Sequence, residues 1–262
     1  MNTVKVRKIE IGSGVPKICV PIVGVTKDEI IAEAKTFDSI PVDVVEWRVD
    51  WFEGVFEFDK VEDVLKDLRE ALGETPILFT FRTSKEGGEK AIEAEPYKEL
   101  NIAAAKTGYV DLVDVEAFTG DEIVKEIVAA AHECGVKVVA SNHDFDKTPE
   151  KDEIVRRLCK MQELGADIPK IAVMPTCRRD VLTLLCATEE MYTEHAAGPI
   201  ITMSMAGATE AFPVELAPTP TAIEFCGSAL AFGAAQKASA PGQAAVNDLN
   251  NMLQFLHENQ GL

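Results

Sequence analysis

The sequence predicts an α/β protein, a (β/α)₈ barrel of the TIM type that forms a single domain. Three observations support this prediction. The chain has 262 residues, and a barrel of this type typically needs about 250. Short apolar runs rich in β-branched residues recur along the chain. Helical patterns separate these runs, as expected for repeated βα units that build a parallel sheet.

Eight strands are predicted, which is the number that a closed barrel requires. They cover Ile18 to Gly24, Val42 to Asp50, Pro76 to Arg82, Tyr109 to Phe118, Val136 to His143, Ile168 to Met174, Ile200 to Met205 and Glu224 to Leu230. No linker or low-complexity stretch divides the chain, so we expect one domain over residues 1–262. Residues 206–221, rich in Ala, Pro, Thr and Glu, predict a loop inserted before the last strand.

Three of the helices between these strands have recognisable ends. Thr26 to Glu29 resembles a capping box, which opens a helix. Gly120 to Glu133 predicts a helix that ends just before Gly135, where glycine suits a left-handed cap. Thr148 and Pro149 predict the N-cap and first turn of another helix.

Composition and charge exclude several classes of function. The formal net charge is −18 and the isoelectric point is near 4.6. We expect no nucleic-acid partner, because phosphate binding needs clustered Lys and Arg. The longest apolar runs are too short to span a bilayer, and the N-terminus lacks a secretory signal pattern. The six cysteines form no Cys-x-x-Cys pair, so we expect reduced thiols and a cytoplasmic protein. The histidines lack metal-ligand spacing, so no metal is expected.

Charged residues occupy the strand faces that should point into the barrel. Side chains alternate across a strand, so Glu46, Arg48 and Asp50 share one face while Trp47 and its apolar neighbours share the other. The same rule places inward Arg82 with Thr80, Asp114 with Glu116, His143 with Ser141, and Lys170 with Ala172. Any one of these residues could form a structural ion pair. Their convergence at the C-terminal ends of five strands instead indicates an active site, because barrel catalytic residues come from those ends.

Two of these inward residues predict the chemistry. Lys170 lies inside an apolar strand, where burial and nearby Arg48 and Arg82 would favour the neutral, nucleophilic amine that attacks a ketone to form a Schiff base. His143 can gain and lose a proton near neutral pH, so it is the candidate proton shuttle. A hydrogen-bonded core histidine is the alternative interpretation of His143.

Taken together, these residues resemble the type I 3-dehydroquinate dehydratases, Schiff-base enzymes of the shikimate pathway. The resemblance covers nearly the whole chain. The motifs that carry it are Glu46-Trp47-Arg48-Val49-Asp50, Phe81-Arg82-Thr83 with Glu86-Gly87-Gly88, Asp114-Val115-Glu116, Ser141-Asn142-His143-Asp144-Phe145, Pro169-Lys170-Ile171-Ala172, Thr202-Met203-Ser204-Met205 and Ala238-Ser239-Ala240-Pro241-Gly242-Gln243.

The resemblance implies a role for each matching position. Lys170 condenses with the ring ketone of a cyclic hydroxyketone substrate, His143 moves the proton, and Glu86 is the loop carboxylate that assists His143. The substrate-binding positions fall into three groups: Glu46, Arg48 and Arg82 hold ring hydroxyls and tune the lysine, Ser239 and Gln243 lie near the substrate carboxylate and leaving hydroxyl, and Met203, Met205 and Phe232 form an apolar wall. The family uses no metal and no nucleotide cofactor, and many of its members are homodimers.

One stretch departs from the family pattern. The Ser-Arg pair that usually follows the Met-Ser-Met strand, and whose arginine binds the substrate carboxylate, is missing. No Lys or Arg occurs between Arg179 and Lys237. The stretch is either a harmless insertion, with the carboxylate held elsewhere, or the sign of a changed substrate.

These observations favour a carbon–oxygen lyase that works through a lysine Schiff base. Its expected substrate is 3-dehydroquinate, or a close cyclic β-hydroxyketone, and its expected product is 3-dehydroshikimate. Two alternatives stay open at this point. One is a barrel lyase or aldolase for a related ketone that lacks a free carboxylate. The other is a non-catalytic ligand-binding paralogue, although binding alone does not require a nucleophile beside a base.

Overall fold

A computed structural model of the chain describes residues 2–205, 227–240 and 243–259. Its strands begin with a short antiparallel hairpin, β1 (Val4–Val6) and β2 (Ile9–Ile11). The barrel strands are β3 (Lys17–Ile22), β4 (Val44–Arg48), β5 (Ile77–Thr80), β6 (Leu112–Glu116), β7 (Lys137–Asp144), β8 (Ile168–Val173), β9 (Ile201–Ser204) and β10 (Leu230–Ala234). A two-residue strand, β11 (Ala244–Ala245), pairs with the end of β10.

Helices follow the strands on the outside of the sheet. They are α1 (Lys27–Ala34), α2 (Phe58–Leu72), α3 (Ala94–Lys106), α4 (Asp121–Glu133), α5 (Lys151–Glu163), α6 (Arg178–Glu190) and α7 (Val246–Glu258), with 3₁₀ turns at Phe37–Ser39, Val49–Trp51 and Ser84–Glu86 and a π-helical turn at Met191–His195. Helix α2 shows why they pack there. Its buried residues Val61, Val64, Leu65, Leu68 and Leu72 recur every three or four positions and form one apolar stripe. No helix in the described ranges is long and apolar enough to cross a membrane.

The parallel sheet closes on itself, which confirms the predicted single-domain barrel. Each strand from β3 to β8 pairs with the next in parallel, and β10 returns to β3 through Leu230–Phe232. The barrel closes between the segments that lead into β9 and β10, where Ile200 and Ser228 form a parallel bridge and Ala229 N–H donates to the Ile200 carbonyl at 2.8 Å. The apolar outer faces of the strands and the helices form the main core.

The eighth barrel strand was predicted too early in the chain. The prediction covered Glu224 to Leu230, but the strand begins at Leu230. Gly227 has a φ of +91°, a left-handed conformation that interrupts an extended run, so the strand forms only after it. The part of the prediction before Gly227, like the predicted loop at 206–221, lies outside the described residues.

Two of the three predicted helix ends are confirmed and the third is wrong. Thr26 caps α1 through a capping box, and Gly135, with a φ of +74°, follows α4. Helix α5, however, begins after Glu150 rather than after Thr148. The Thr148 hydroxyl donates to the Met174 carbonyl at 3.1 Å, so it ties two loops together instead of capping the helix.

The hairpin β1–β2 was not predicted, and it fills the N-terminal end of the barrel. Its buried residues Val4, Val6 and Ile11 belong to one apolar cluster with the first inward residues of the barrel strands. At its turn, Arg7 has a φ of +49° and its Nε atom lies 2.5 Å from Asp111, which also pairs with Arg69 at 2.6 Å. The hairpin therefore seals the end of the barrel opposite to the predicted active site.

Inside the barrel, the side chains change character in steps of two residues along each strand. The layer next to the hairpin is apolar: Cys19, Val44, Leu78, Leu112, Val139, Ile168, Ile201 and Leu230. Two positions further along the strands lie Glu46, Thr80, Asp114, Ser141, Lys170, Met203 and Phe232, and two positions beyond those lie Arg48, Arg82, Glu116, His143, Ala172 and Met205. The polar residues thus lie at the C-terminal ends of the strands, above a sealed apolar floor.

Candidate active site

A pocket opens at the C-terminal end of the barrel and brings together every predicted site residue. Its lining includes Glu46, Arg48, Arg82, Glu86, His143, Lys170, Met203, Met205, Phe232, Ser239 and Gln243. These residues come from positions spread over almost two hundred residues of the chain, and the sheet register places them side by side. Within the described ranges, no group of three or more His, Cys, Asp or Glu side chains is arranged to hold a metal ion.

Lys170 lies at the bottom of this pocket and is only 3% exposed. Its Nζ atom is 3.5 Å from Asp114 Oδ2 and 4.0 Å from Glu46 Oε1, and it lies 4.4 Å above the centre of the Phe232 ring. The sequence had suggested cationic neighbours, whereas the contacts of the amine are two carboxylates and an aromatic face. A positive charge on this nitrogen is therefore compensated within the barrel.

Arg82 connects side chains of two neighbouring strands, β6 and β7. Its guanidinium donates to Asp114 at 2.7 Å, to Glu116 at 3.1 Å and to the Ser141 hydroxyl at 2.9 Å. Burial by itself would lower the pKa of Arg82, but the charges of Asp114 and Glu116 reverse this and raise it. Arg82 is thus a permanent cation that fixes the side chains of β6 and β7.

Asp114 is the carboxylate shared by Arg82 and Lys170. Burial would raise the pKa of Asp114, yet the charges of Arg82 and then Lys170 outweigh it and lower the pKa. The Ser141 hydroxyl donates to the same carboxylate at 2.6 Å. Asp114 therefore stays ionised beside the lysine, as a fixed counter-ion rather than a proton carrier.

Glu46 and Arg48 project into the pocket from β4 and are each held by a neighbour. Thr80 donates to Glu46 at 2.9 Å. Asp50 pairs with Arg48 through two hydrogen bonds of 2.8 Å, a bidentate geometry that fixes the guanidinium plane. One remaining N–H of Arg48 donates to the Ser239 carbonyl at 3.2 Å, so β4 is linked to the loop that carries Ser239.

His143 and Glu86 form a pair at the rim. The Nδ1 atom of His143 is 3.0 Å from Glu86 Oε2, which also accepts the His143 backbone N–H at 2.9 Å. Burial, together with the positive charges of Arg82, Lys170 and Arg48, lowers the pKa of His143 well below its usual range. His143 is thus a neutral imidazole at physiological pH, as a proton acceptor must be.

Groups around Glu86 have opposite effects on its pKa. Burial raises the pKa of Glu86 to about 7, and Glu116 adds to this, while Arg82 and the hydrogen bonds from Asn142 and His143 favour the carboxylate. Its ionisation therefore changes across physiological pH.

Two glycines allow the Glu86 turn to lie against the barrel. Gly87 has a φ of +83°, and a Cβ atom there would lie 2.3 Å from the Phe145 ring. A Cβ atom on Gly88 would lie 1.9 Å from the backbone oxygen of Arg82. Any larger residue would displace the turn and, with it, the Glu86 carboxylate.

The remaining lining residues form the walls. Met203 on β9, Met205 just after it and Phe232 on β10 present apolar surface. Ser239 and Gln243 bond to each other, because the Ser239 N–H donates to the Gln243 side-chain oxygen at 2.8 Å and the Gln243 amide donates to the Ser239 hydroxyl at 3.1 Å. This mutual pairing leaves hydroxyl and amide hydrogens available to a ligand.

The sequence did not identify the residues that hydrogen-bond to Arg48, Arg82 and Glu86 and so fix their side chains. Asp50, Glu116 and Ser141 were placed on inward faces without a role, and Asn142 was named only as part of a family motif. Strand alternation could have identified the first three as partners for arginine. Nothing in the sequence pattern alone would have brought Asn142 to Glu86.

The chain is similar to known proteins over nearly its whole length. The model of the family described as type I 3-dehydroquinase matches residues 18–260. A 3-dehydroquinate dehydratase from Clostridium botulinum is 54% identical over 256 residues, covering 98% of both chains. One from Listeria monocytogenes is 55% identical over 258 residues, covering 98% of this chain and 99% of the relative.

Solved structures agree with these sequence relatives. A type I 3-dehydroquinate dehydratase from Clostridium difficile with covalently modified comenic acid superposes with a TM-score of 0.91 at 52% identity, covering 98% of each chain. A 3-dehydroquinate dehydratase from Geobacillus kaustophilus gives a TM-score of 0.92 at 36% identity, covering 99% of this chain and 98% of the other. Sequence and fold therefore agree over nearly the full length.

Proposed function

We propose, from the premise that this chain belongs to the type I 3-dehydroquinase family, that its barrel pocket dehydrates the substrate through an imine on Lys170. The chain is a lyase that converts 3-dehydroquinate to 3-dehydroshikimate, and it acts in the shikimate pathway. The assignment of individual steps to individual residues is our proposal.

The carrying observation is the environment of the Lys170 amine. The neutral amine attacks the ring ketone, and the adduct loses water to give a protonated imine. An ammonium and a protonated imine carry the same charge, so Asp114 at 3.5 Å and Glu46 at 4.0 Å stabilise both without rearrangement. The Phe232 face, 4.4 Å from the nitrogen, adds to this stabilisation.

His143 is assigned the proton transfers. It removes a proton from the carbon next to the imine, and the electron pair moves into the imine to give an enamine. The proton on His143 then joins the departing ring hydroxyl, which leaves as water as the imine re-forms. Hydrolysis of that imine releases the product and restores the free amine.

These reaction steps move positive charge between the Lys170 nitrogen and the His143 imidazole, and each of the two has a carboxylate beside it. When the enamine forms, the charge leaves the Lys170 nitrogen and appears on the His143 imidazole. Glu86, 3.0 Å from His143 Nδ1, stabilises the imidazolium, just as Asp114 stabilises the iminium. Glu86 and Asp114 therefore have the same proposed role: each stabilises the positive charge on its neighbour, the His143 imidazolium or the Lys170 iminium.

Substrate binding is assigned to the other lining residues. Glu46, Arg48 and Arg82 offer an acceptor and donors to the ring hydroxyls, and the apolar wall of Met203, Met205 and Phe232 packs against the ring. Ser239 and Gln243 are assigned to the substrate carboxylate and the leaving hydroxyl.

We also propose that the protein is a cytoplasmic homodimer. The five cysteines within the described ranges, Cys19, Cys134, Cys159, Cys177 and Cys186, are free thiols, as is usual in a reducing compartment. Light scattering after gel filtration measures the oligomeric state, and a mass of one chain would refute the dimer.

Borohydride trapping tests the imine. We expect the wild-type chain incubated with 3-dehydroquinate and borohydride to gain a reduced adduct at Lys170 that peptide mass spectrometry locates. Lys170→Ala should lose both the adduct and turnover, while Lys125→Ala, which changes an exposed lysine on α4, should retain both. An adduct that persists in Lys170→Ala would refute the assignment.

A further inference from the structure

Asn142 connects the Glu86–His143 pair to a helix outside the barrel. It is buried at the end of β7, next to His143 but on the opposite face of the strand. Its Nδ2 atom donates to Glu86 Oε1 at 3.0 Å, and its Oδ1 atom accepts from Arg157 Nη1 at 2.9 Å. The proposed function uses neither Asn142 nor Arg157.

Arg157 determines which way the Asn142 amide faces. The oxygen and nitrogen of an asparagine amide are nearly the same size, so hydrogen-bond partners set its orientation. A guanidinium can only donate, so the amide oxygen must face Arg157 and the NH₂ group must face Glu86. Arg157 is itself held on α5 by Glu153 at 2.8 Å, with Asp144 at 3.6 Å and the Phe118 ring at 5.9 Å.

We propose that Asn142 and Arg157 are positioning residues, which fix the Glu86 carboxylate so that its second oxygen faces His143. This inference rests on the proposed function, in which Glu86 assists His143. The Asn142 amide occupies Oε1, and Oε2 is thereby left to the backbone N–H and the Nδ1 atom of His143.

The contact acts on both the geometry and the charge of Glu86. Arg82 just after β5, Glu116 from β6 and His143 from β7 are the charged and titratable groups that face it. Arg82 favours the carboxylate and Glu116 opposes it. The Asn142 amide is a neutral donor that also favours the carboxylate, so its removal leaves Glu86 easier to protonate.

Two substitutions at Asn142 separate a positioning role from a purely structural one. Asn142→Asp has nearly the same shape and still offers an oxygen to Arg157, but it replaces the donor to Glu86 with a second carboxylate. Asn142→Leu removes both contacts. We expect kcat to fall on the order of ten- to a hundredfold in both variants, with little change in KM, because a hydrogen bond to a charged group is lost.

The pH profile provides the decisive measurement. The acidic limb of kcat/KM should move to higher pH in Asn142→Leu and further in Asn142→Asp, because a like charge raises the pKa of Glu86 more than the loss of a donor does. An Asn142→Asp variant with the wild-type rate and the wild-type pH profile would show that the side chain at this position does not act on Glu86. That result would overturn the proposal, even if Asn142→Leu failed to fold.

Arg157 supplies the second arm of the test. Arg157→Met allows the side-chain amide of Asn142 to rotate and exchange its oxygen and nitrogen. We therefore expect the acidic limb to shift in the same direction as in the Asn142 variants, but by less. Arg157→Lys retains a donor and should restore most of the wild-type behaviour. An Arg157→Met profile identical to wild type would remove Arg157 from the proposal.

Borohydride trapping distinguishes this inference from the proposed function. The Asn142 and Arg157 variants should still form the reduced adduct at Lys170, because none of them contacts the amine. A wild-type chain that forms no adduct would refute the Lys170 mechanism. Normal trapping combined with unchanged kinetics in Asn142→Asp would refute only the positioning role.

Discussion

Glu86 Oε2 lies 3.0 Å from Nδ1 of His143 and also accepts the backbone N–H of the same residue. An ionised Glu86 requires the imidazole hydrogen to be on Nδ1, which leaves the Nε2 lone pair free to take a proton. A protonated Glu86 can instead donate to Nδ1, and the free lone pair is then lost. The ionisation of one carboxyl thus selects the tautomer of the neighbouring base.

This relationship predicts an acidic limb near neutral pH. Because the pKa of Glu86 is raised to about 7, the carboxylate that activates His143 is present above that pH and is lost as the pH falls through it. We expect kcat/KM to decline below about pH 7, in line with that pKa. Glu86→Gln should lower the rate and remove the limb, whereas Glu122→Gln, at an exposed site on α4, should leave the profile unchanged. A flat wild-type profile from pH 6 to 8 would contradict this, since it spans about one unit on each side of the predicted pKa.

His143 should be dispensable for imine formation but not for turnover. We expect His143→Ala to reduce kcat by about 10² to 10⁴-fold, the usual contribution of general acid–base catalysis. The variant should accumulate the borohydride-reducible adduct at Lys170. His195→Ala serves as the control because His195 lies outside the pocket. Near-normal turnover in His143→Ala would mean that another group moves the proton.

The substrate carboxylate should be bound weakly. Each cation that lines the described part of the pocket, Arg48, Arg82 or Lys170, already has a carboxylate within 4.0 Å. No Lys or Arg occurs between Arg179 and Lys237, where the family's usual arginine would fall. Loss of one partner of a buried charge pair costs about 2 to 5 kcal/mol, so we expect a markedly raised KM for 3-dehydroquinate.

Kinetics with two ligands measure this effect. A 3-dehydroquinate analogue with its carboxylate masked as an ester should be used at least as well as 3-dehydroquinate itself. Thr219→Arg, a change outside the described residues, should improve kcat/KM for the acid alone. A wild-type kcat/KM for 3-dehydroquinate of about 10⁴ M⁻¹s⁻¹ or more, within the usual enzyme range, would show that the carboxylate is held well.

The N-terminal hairpin should contribute to stability without affecting catalysis. Ile11 is fully buried in the floor of the barrel, and we expect Ile11→Ala to lower the free energy of unfolding by about 2 to 5 kcal/mol. Ile9→Ala, at a half-buried position of the same strand, should cost less. Urea unfolding measures both, and kcat should stay unchanged where the variants are folded. Equal losses in the two variants would show that the hairpin does not pack as described.

The sequence predicted most of the barrel because inward and outward residues alternate strictly along its strands. Lys170 was placed correctly from the apolar residues on either side of it, and the pattern of Glu46 and Arg48 was equally clear. The last strand could not be placed, because Gly227 adopts a left-handed φ within an apparently continuous run. The hairpin was missed because its strands have only three residues each.

The site was predictable only where its residues lie on strands. Glu86 was named from its family motif, yet its contact with Asn142 depends on how a turn after β5 packs against β7. Arg157 reaches the same network from a helix. Such contacts depend on tertiary packing, which no local pattern encodes. The carboxylates around Lys170 were expected inward, but their proximity to the amine required the register of the sheet.

The pairing of β10 with β3 has a consequence for synthesis of the chain. Leu230–Phe232 must meet Lys17–Cys19, so the first barrel strand keeps an open edge until nearly the whole chain has left the ribosome. Unpaired edges invite association with other chains, and such distant contacts form slowly. Phe232, whose ring lies against the Lys170 amine, is part of β10, the strand that covers the open edge of β3. The pocket around Lys170 is therefore completed only when the last barrel strand has been made and has paired with the first.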